Sequence, residues 1–279
     1  LPELPEVEIV RRGLVNLTPG LAIVKIELLR PDCVAGEAQE FINGLEQQTL
    51  HHWQRLGKYL LGKLDNGGWW VVHLRMTGQL LWLTTPQPVG KHTRARMFFT
   101  GGSELRFVDQ RTFGRMWWVP PGQEVTQVVT GLRGMGPEPW DCSVQDLYQK
   151  CQHSQRPIKT ALLDQTWIAG LGNIYADECL FLSGIDPSTP CHDLSRPQIE
   201  TLHQAIIQVL ETSIQAGGTT FAHFRHVQGM NGHYLNQAWV YGRAGQPCRV
   251  CGTEIQRRKI AGRSSHGCPR CQPKRPTKH

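Results

Sequence analysis

Residues 248–271 read CRVCGTEIQRRKIAGRSSHGCPRC, two Cys-x2-Cys knuckles formed by Cys248, Cys251, Cys268 and Cys271 with 16 residues between them. Each knuckle can place two thiolates on one side of an ion, and the intervening residues can return the chain as a hairpin, so the spacing predicts one tetrahedral Zn2+. Four thiolates close the coordination sphere, which makes that zinc structural. Between the knuckles, Glu254 to Lys259 reads as a strand, Ala261-Gly262 as a turn, and Arg263 falls just past it. A segment this short cannot bury an apolar core of its own, and the metal is what would hold it together.

The same segment carries most of the charge. The 279 residues hold 30 Lys+Arg against 23 Asp+Glu. Residues 1–130 have 14 basic and 12 acidic side chains, residues 131–240 have 6 and 10, and residues 241–279 have 10 and 1. A local basic block of this kind faces a polyanion, with nucleic acid ahead of an anionic membrane surface. Five further cysteines (Cys33, Cys142, Cys151, Cys179, Cys191) make an odd total without disulfide spacing, which fits a reducing compartment. The opening LPELPEVEIVRR has acids where a secretory signal needs a basic start and an apolar block, and no apolar run is long enough to span a bilayer. A cytoplasmic protein is expected.

Upstream of the hairpin the texture changes twice. Eight strand signals run from Ala22 to Val119, separated by turn dipeptides such as Asn66-Gly67 and Gly101-Gly102, and predict a β-sandwich or barrel. From about Gly134 apolar residues recur at helical spacing, the longest series being Ile199, Leu202, Ile206, Val209, Leu210 and Ile214, closed by Gly217-Gly218. The predicted architecture is α+β and multidomain: a β-sandwich domain with an N-terminal helix (1–131), a helical domain (132–240) and a zinc ribbon with a basic tail (241–279).

At the N-terminus, Pro5 and the acids of PELPEVE suit a helix start, with Val7, Val10 and Leu14 as its buried stripe. Removal of residue 1 would also leave Pro2 as a secondary amine able to form an iminium ion with a sugar carbon, with Glu3 beside it to move protons.

Taken in order, PELPEVE, GKYLL at Lys58, HLRMTG at Met76, DQRTFG at Arg111 and Phe113, GLGNIYADE at Asn173, GGTT at 217–220 and VYGRAGQPCRVCG, followed by the hairpin with Arg263, resemble the bacterial formamidopyrimidine-DNA glycosylases over nearly the whole chain. The resemblance implies a bifunctional glycosylase and AP lyase that removes 8-oxoguanine and ring-opened purines from duplex DNA. Pro2 is then the nucleophile, Glu3 the proton donor and acceptor, and Glu6 a support of the same site. Lys58, Asn173 of a helix-two-turn-helix element and Arg263 would grip the strand. Met76, Arg111 and Phe113 would fill the gap left by the flipped base, with Arg111 facing the orphaned cytosine. His92 and Lys159 would contact the backbone, and residues 226–234 would cover the flipped base. No small-molecule cofactor and a monomer are expected. Two alternatives stand beside this reading: an endonuclease VIII-type enzyme for oxidised pyrimidines, and, if Leu1 is retained, a zinc protein that binds damaged DNA without catalysis.

Overall fold

The computed structural model describes residues 2–219 and 233–274, and the chain forms two compact units. The first unit comprises residues 1–133 and 217–232, and the second residues 134–216 and 233–279.

The first unit opens with helix α1 (Leu4–Leu17), which buries Leu4, Val7, Val10 and Leu14. Eight strands follow: β1 (Ile23–Leu28), β2 (Leu50–Leu56), β3 (Tyr59–Leu64), β4 (Trp69–His73), β5 (Gly78–Leu83), β6 (Thr93–Phe99), β7 (Glu104–Asp109) and β8 (Arg115–Val119). Short helices α2 (Ala38–Leu45) and α3 (Val125–Val128) interrupt and close the series. All pairings between these strands are antiparallel, in two four-stranded sheets ordered β1-β6-β7-β5 and β2-β3-β4-β8. Alternate residues of both sheets, among them Ile26, Trp53, Leu60, Trp70, Met97, Phe107 and Met116, meet the apolar stripe of α1 in one buried cluster. The sandwich expected from strand density is therefore present, and its core fixes the N-terminal helix.

The second unit is helical, with α4 (Val144–Gln152), α5 (Ile158–Leu162), α6 (Asn173–Leu182), α7 (Arg196–Gln215) and α8 (Tyr234–Gln237). Helix α7 begins with a reciprocal capping box between Ser195 and Gln198, has Pro197 in its first turn, and ends before Gly217 and Gly218, both with positive φ. Beyond α8, β9 (Gln256–Ile260) and β10 (Arg263–Gly267) form the expected hairpin, with Ile260 opposite Arg263 and the turn residues Ala261 and Gly262 both at positive φ. Among the described residues, no helix is long and apolar enough to cross a membrane.

Candidate active site and nucleic-acid interface

Glu3 is the N-cap of α1 and shares a capping box with Glu6: the Glu3 side chain accepts from the Glu6 amide, and Glu6 Oε2 accepts from Glu3 N–H at 2.8 Å. The second Glu6 oxygen, Oε1, accepts from the Thr219 amide at 2.8 Å and its hydroxyl at 2.9 Å. Glu6 is fully buried with both oxygens engaged, so it fixes the backbone that carries Pro2 and Glu3. Gly218 lies against it: φ is +75°, and a Cβ there would sit 3.0 Å from Glu6 Oε1. The GGTT run thus supplies the partner of Glu6, a role not visible in the sequence.

Further along the same unit, Lys58 occupies the tip of the β2–β3 hairpin, half-buried, between paired residues Leu56 and Tyr59. Met76 is half-buried in the β4–β5 connection. Arg111 and Phe113 project from the β7–β8 connection, Phe113 being 50% exposed and Arg111 stacked on its ring at 4.9 Å. His92 is half-buried just before β6, and its carbonyl accepts from the Asp109 amide at 2.9 Å. His73 Nδ1 accepts from the Arg75 amide at 3.0 Å. Burial, reinforced by the charges of Arg75 and Lys58, pushes this imidazole down to about 3, so it stays neutral as an acceptor.

In the second unit, Gly172 caps α6 and Asn173 is its first residue; Asn173 Oδ1 is buried and takes no hydrogen bond from the described residues. Arg263 is exposed beside the hairpin turn. Lys159 has a different place from the backbone contact expected of it. It is 1% exposed, its ammonium is 2.6 Å from Asp177 Oδ1, and it donates to the Ser264 carbonyl at 2.6 Å. The side chain points inward because Asp177, fully buried on α6, needs a countercharge. Asp177 also accepts from Ser265 Oγ at 3.0 Å, the His266 amide at 2.9 Å and His266 Nδ1 at 3.2 Å. Lys159 and Asp177 therefore hold the strand that begins with Arg263.

The four cysteines converge as their spacing predicts. Their sulfurs lie within 4.8 Å of one another, with separations of 3.8 Å for Cys248–Cys271 and 3.5 Å for both Cys251–Cys268 and Cys251–Cys271. A tetrahedron of thiolates about 2.3 Å from zinc has edges of about 3.8 Å, so the donor set fits one zinc without rearrangement of the fold. The bound ion would supply no chemistry beyond cross-linking the two knuckles. Of the loop expected to cover a flipped base, residues 226–232 lie outside the described residues.

Three family models match in chain order: the formamidopyrimidine-DNA glycosylase N-terminal domain over residues 1–116, the H2TH domain of the same enzymes over 134–225, and a zinc finger found in FPG and IleRS over 245–274. The formamidopyrimidine-DNA glycosylase of Acaryochloris marina is 55% identical over 98% of this chain and 99% of its own length. That of Nostoc punctiforme is 56% identical over 98% and 96%. Among solved structures, a complex of Lactococcus lactis Fpg with DNA containing an abasic site matches with a TM-score of 0.90 and 36% identity, covering 98% of this chain and 100% of that one. A structure of MutM with DNA containing carbocyclic 8-oxo-G matches equally, with a TM-score of 0.90. With its capped Pro-Glu helix, sandwich, helical unit and thiolate-held hairpin in this order, the chain belongs to the formamidopyrimidine-DNA glycosylase family.

Proposed function

We propose that the chain removes oxidised purines, 8-oxoguanine and formamidopyrimidines, from duplex DNA and then cleaves the strand at the resulting abasic site. The observation that carries this reading is the immobilised start of α1, where Glu6 fixes the backbone of Glu3, the residue that follows Pro2. With Pro2 as the first residue of the mature chain, its nitrogen attacks C1′, the glycosidic bond breaks and the base departs with a proton. The C1′–O4′ bond then opens, O4′ taking up a proton, to give a C1′ iminium that, formed from a secondary amine, has no N–H to lose and stays cationic. That charge acidifies C2′, so removal of the C2′ proton expels the 3′ phosphate, and a second elimination expels the 5′ phosphate. An α-amino group, with an ordinary pKa of about 8, is neutral more often at working pH than a lysine at about 10.4. Glu3 is assigned the proton transfers.

Lys58 and His92 on one unit, and Asn173 and Arg263 on the other, are proposed as contacts to phosphates. Met76, Arg111 and Phe113 are proposed to occupy the gap left by the extruded base, offsetting a cost of a few kcal/mol. The chain is read as three functional segments (1–131, 132–240 and 241–279) acting in the cytoplasm at the nucleoid.

Borohydride trapping tests the proposal. On an 8-oxoguanine:cytosine duplex the zinc-loaded protein is expected to form a covalent crosslink through the Pro2 nitrogen, absent when a residue retained ahead of Pro2 keeps that nitrogen an amide. No crosslink with Pro2 exposed would leave a non-catalytic DNA-binding protein. A clear preference for thymine glycol would indicate pyrimidine specificity.

A further inference from the structure

We infer that Asp109 and Thr77 are positioning residues that set Met76, Arg111 and Phe113 as one unit, and that this clamp determines how strictly the base opposite the lesion is read. The inference rests on the proposed function. The three side chains come from two separate connections, β4–β5 and β7–β8, and Arg111 and Phe113 are largely open to solvent, so packing of their own does not hold them. What holds their backbone is one carboxylate. Asp109 is 0% exposed. Its Oδ1 accepts from the hydroxyl of Thr77, the residue after Met76, and from the Arg111 amide at 3.2 Å. The Arg111 amide also donates to Thr77 Oγ1 at 3.0 Å. Its Oδ2 accepts from the amide of Gly114, the residue after Phe113, at 2.7 Å. The Asp109 peptide is itself held at both ends, its amide donating to the His92 carbonyl and its carbonyl accepting from Arg94 Nε at 2.6 Å.

The geometry requires such a clamp. Arg75, next to Met76, and Thr112, between Arg111 and Phe113, take positive φ of 53° and 58°, a region unfavourable for L side chains unless the surroundings impose it. Gly114 leaves no room for adjustment, since a Cβ there would lie 2.4 Å from the Phe107 ring and 3.1 Å from Asp109 Oδ2. A side chain driven into a base stack is pushed back by it, and a loop that yields by an ångström loses its discrimination.

The test uses the full-length zinc-loaded protein and its T77V, T77S and D109N variants. Single-turnover excision is measured on 8-oxoguanine paired with cytosine or adenine, and borohydride trapping on a duplex with a preformed abasic site. T77V and D109N are expected to slow excision opposite cytosine by ~10-fold or more and to shrink the cytosine-over-adenine preference, while abasic-site trapping stays within about threefold of wild type. T77S, which keeps the hydroxyl, is expected to restore both. An unchanged preference in T77V, or an equal loss on excision and abasic-site trapping, overturns the inference; should D109N not fold, T77V decides it. Wild-type protein that traps on neither substrate would overturn the glycosylase reading instead.

Discussion

Replacing Lys159 by Met should destabilise the second unit and weaken DNA binding without removing a DNA contact. The substitution keeps most of the volume but leaves the carboxylate of Asp177 buried without its countercharge, 2.6 Å from where the ammonium stood. Breaking a buried pair from one side costs about 3–5 kcal/mol. Asp177 would retain the donors Ser265 Oγ and the His266 amide, which argues for the lower end. A loss of about 3 kcal/mol in a unit of this size lowers Tm by on the order of 10 °C. The Ser264 carbonyl loses its donor too, so β10 loosens at the residue after Arg263, and affinity for a lesion duplex should fall several-fold. The double variant K159M/D177N removes the stranded charge while an amide oxygen still accepts from His266, and should recover at least half of the lost stability. Thermal unfolding by circular dichroism and fluorescence anisotropy across a salt series measure both effects. A single variant within about 2 °C of wild type, or a double variant no better than the single, would refute the buried-strut assignment. Lost affinity at unchanged Tm would return Lys159 to the role of a direct contact.

Three further outcomes follow from the geometry. Stripping zinc with a chelator should unfold the hairpin and abolish lesion binding, with recovery on adding Zn2+; retained binding in the metal-free protein would contradict the structural role of the four thiolates. Gly218→Ala forces a side chain at φ +75° against Glu6 Oε1, and should cost about 1–3 kcal/mol of stability and lower borohydride crosslinking by ~10-fold; wild-type crosslinking would show that the Glu6 anchor is dispensable. The acid side of the stability profile should have two stages. His73 has a folded value of about 3 against an ordinary 6.5, so the unfolded chain takes up the proton first and stability falls as pH drops below 6.5. Glu8 behaves differently: burial raises its carboxyl, but hydrogen bonds from Arg11 and Arg12, with the charges of Arg11 and Arg55, outweigh it and hold the group at about 2. Its contribution is complete above an ordinary 4.5 and is lost between there and about 2. H73N should therefore flatten the slope of urea-unfolding free energy between pH 6.5 and 4.5 by up to one proton, and an unchanged slope would refute it.

The strands of the sandwich were legible because alternation and turn chemistry are local. The Asn66-Gly67 and Gly101-Gly102 turns do hold glycines at positive φ, and the predicted strands match the observed ones to within two residues at each end. The cysteine quartet was legible because metal geometry acts through short spacings. Helix α2 was not, since its eight residues include Asn43 and Gly44, poor helix formers. Gly44 is explained only by Trp118, whose ring lies where a Cβ would be. The same limit governs the site. The residue types at Pro2, Glu3 and Glu6 suggested chemistry, but the partner of Glu6, Thr219, is 213 positions away. The resemblance makes Lys159 a contact to the DNA backbone, whereas its position follows from Asp177. One local signal was available: the adjacent acids Asp177 and Glu178 interrupt an otherwise apolar run in α6, and buried acids must find partners.

Those two neighbouring carboxylates limit how the C-terminal segment can be exchanged. Glu178 accepts from the amides of Trp239, Val240 and Tyr241 at 2.7–2.9 Å and from the Tyr234 hydroxyl at 3.3 Å, while Asp177 holds β10. One turn of α6 thus anchors both the approach to the zinc hairpin and its returning strand. The hairpin is for that reason not a portable cassette. A chimaera that grafts residues 241–279 from another member of the family would leave Lys159 and Asp177 facing a strand selected against a different helix. Crossovers that carry residues 159–182 together with the zinc segment should yield folded, DNA-competent hybrids more often than cuts placed at the apparent domain border.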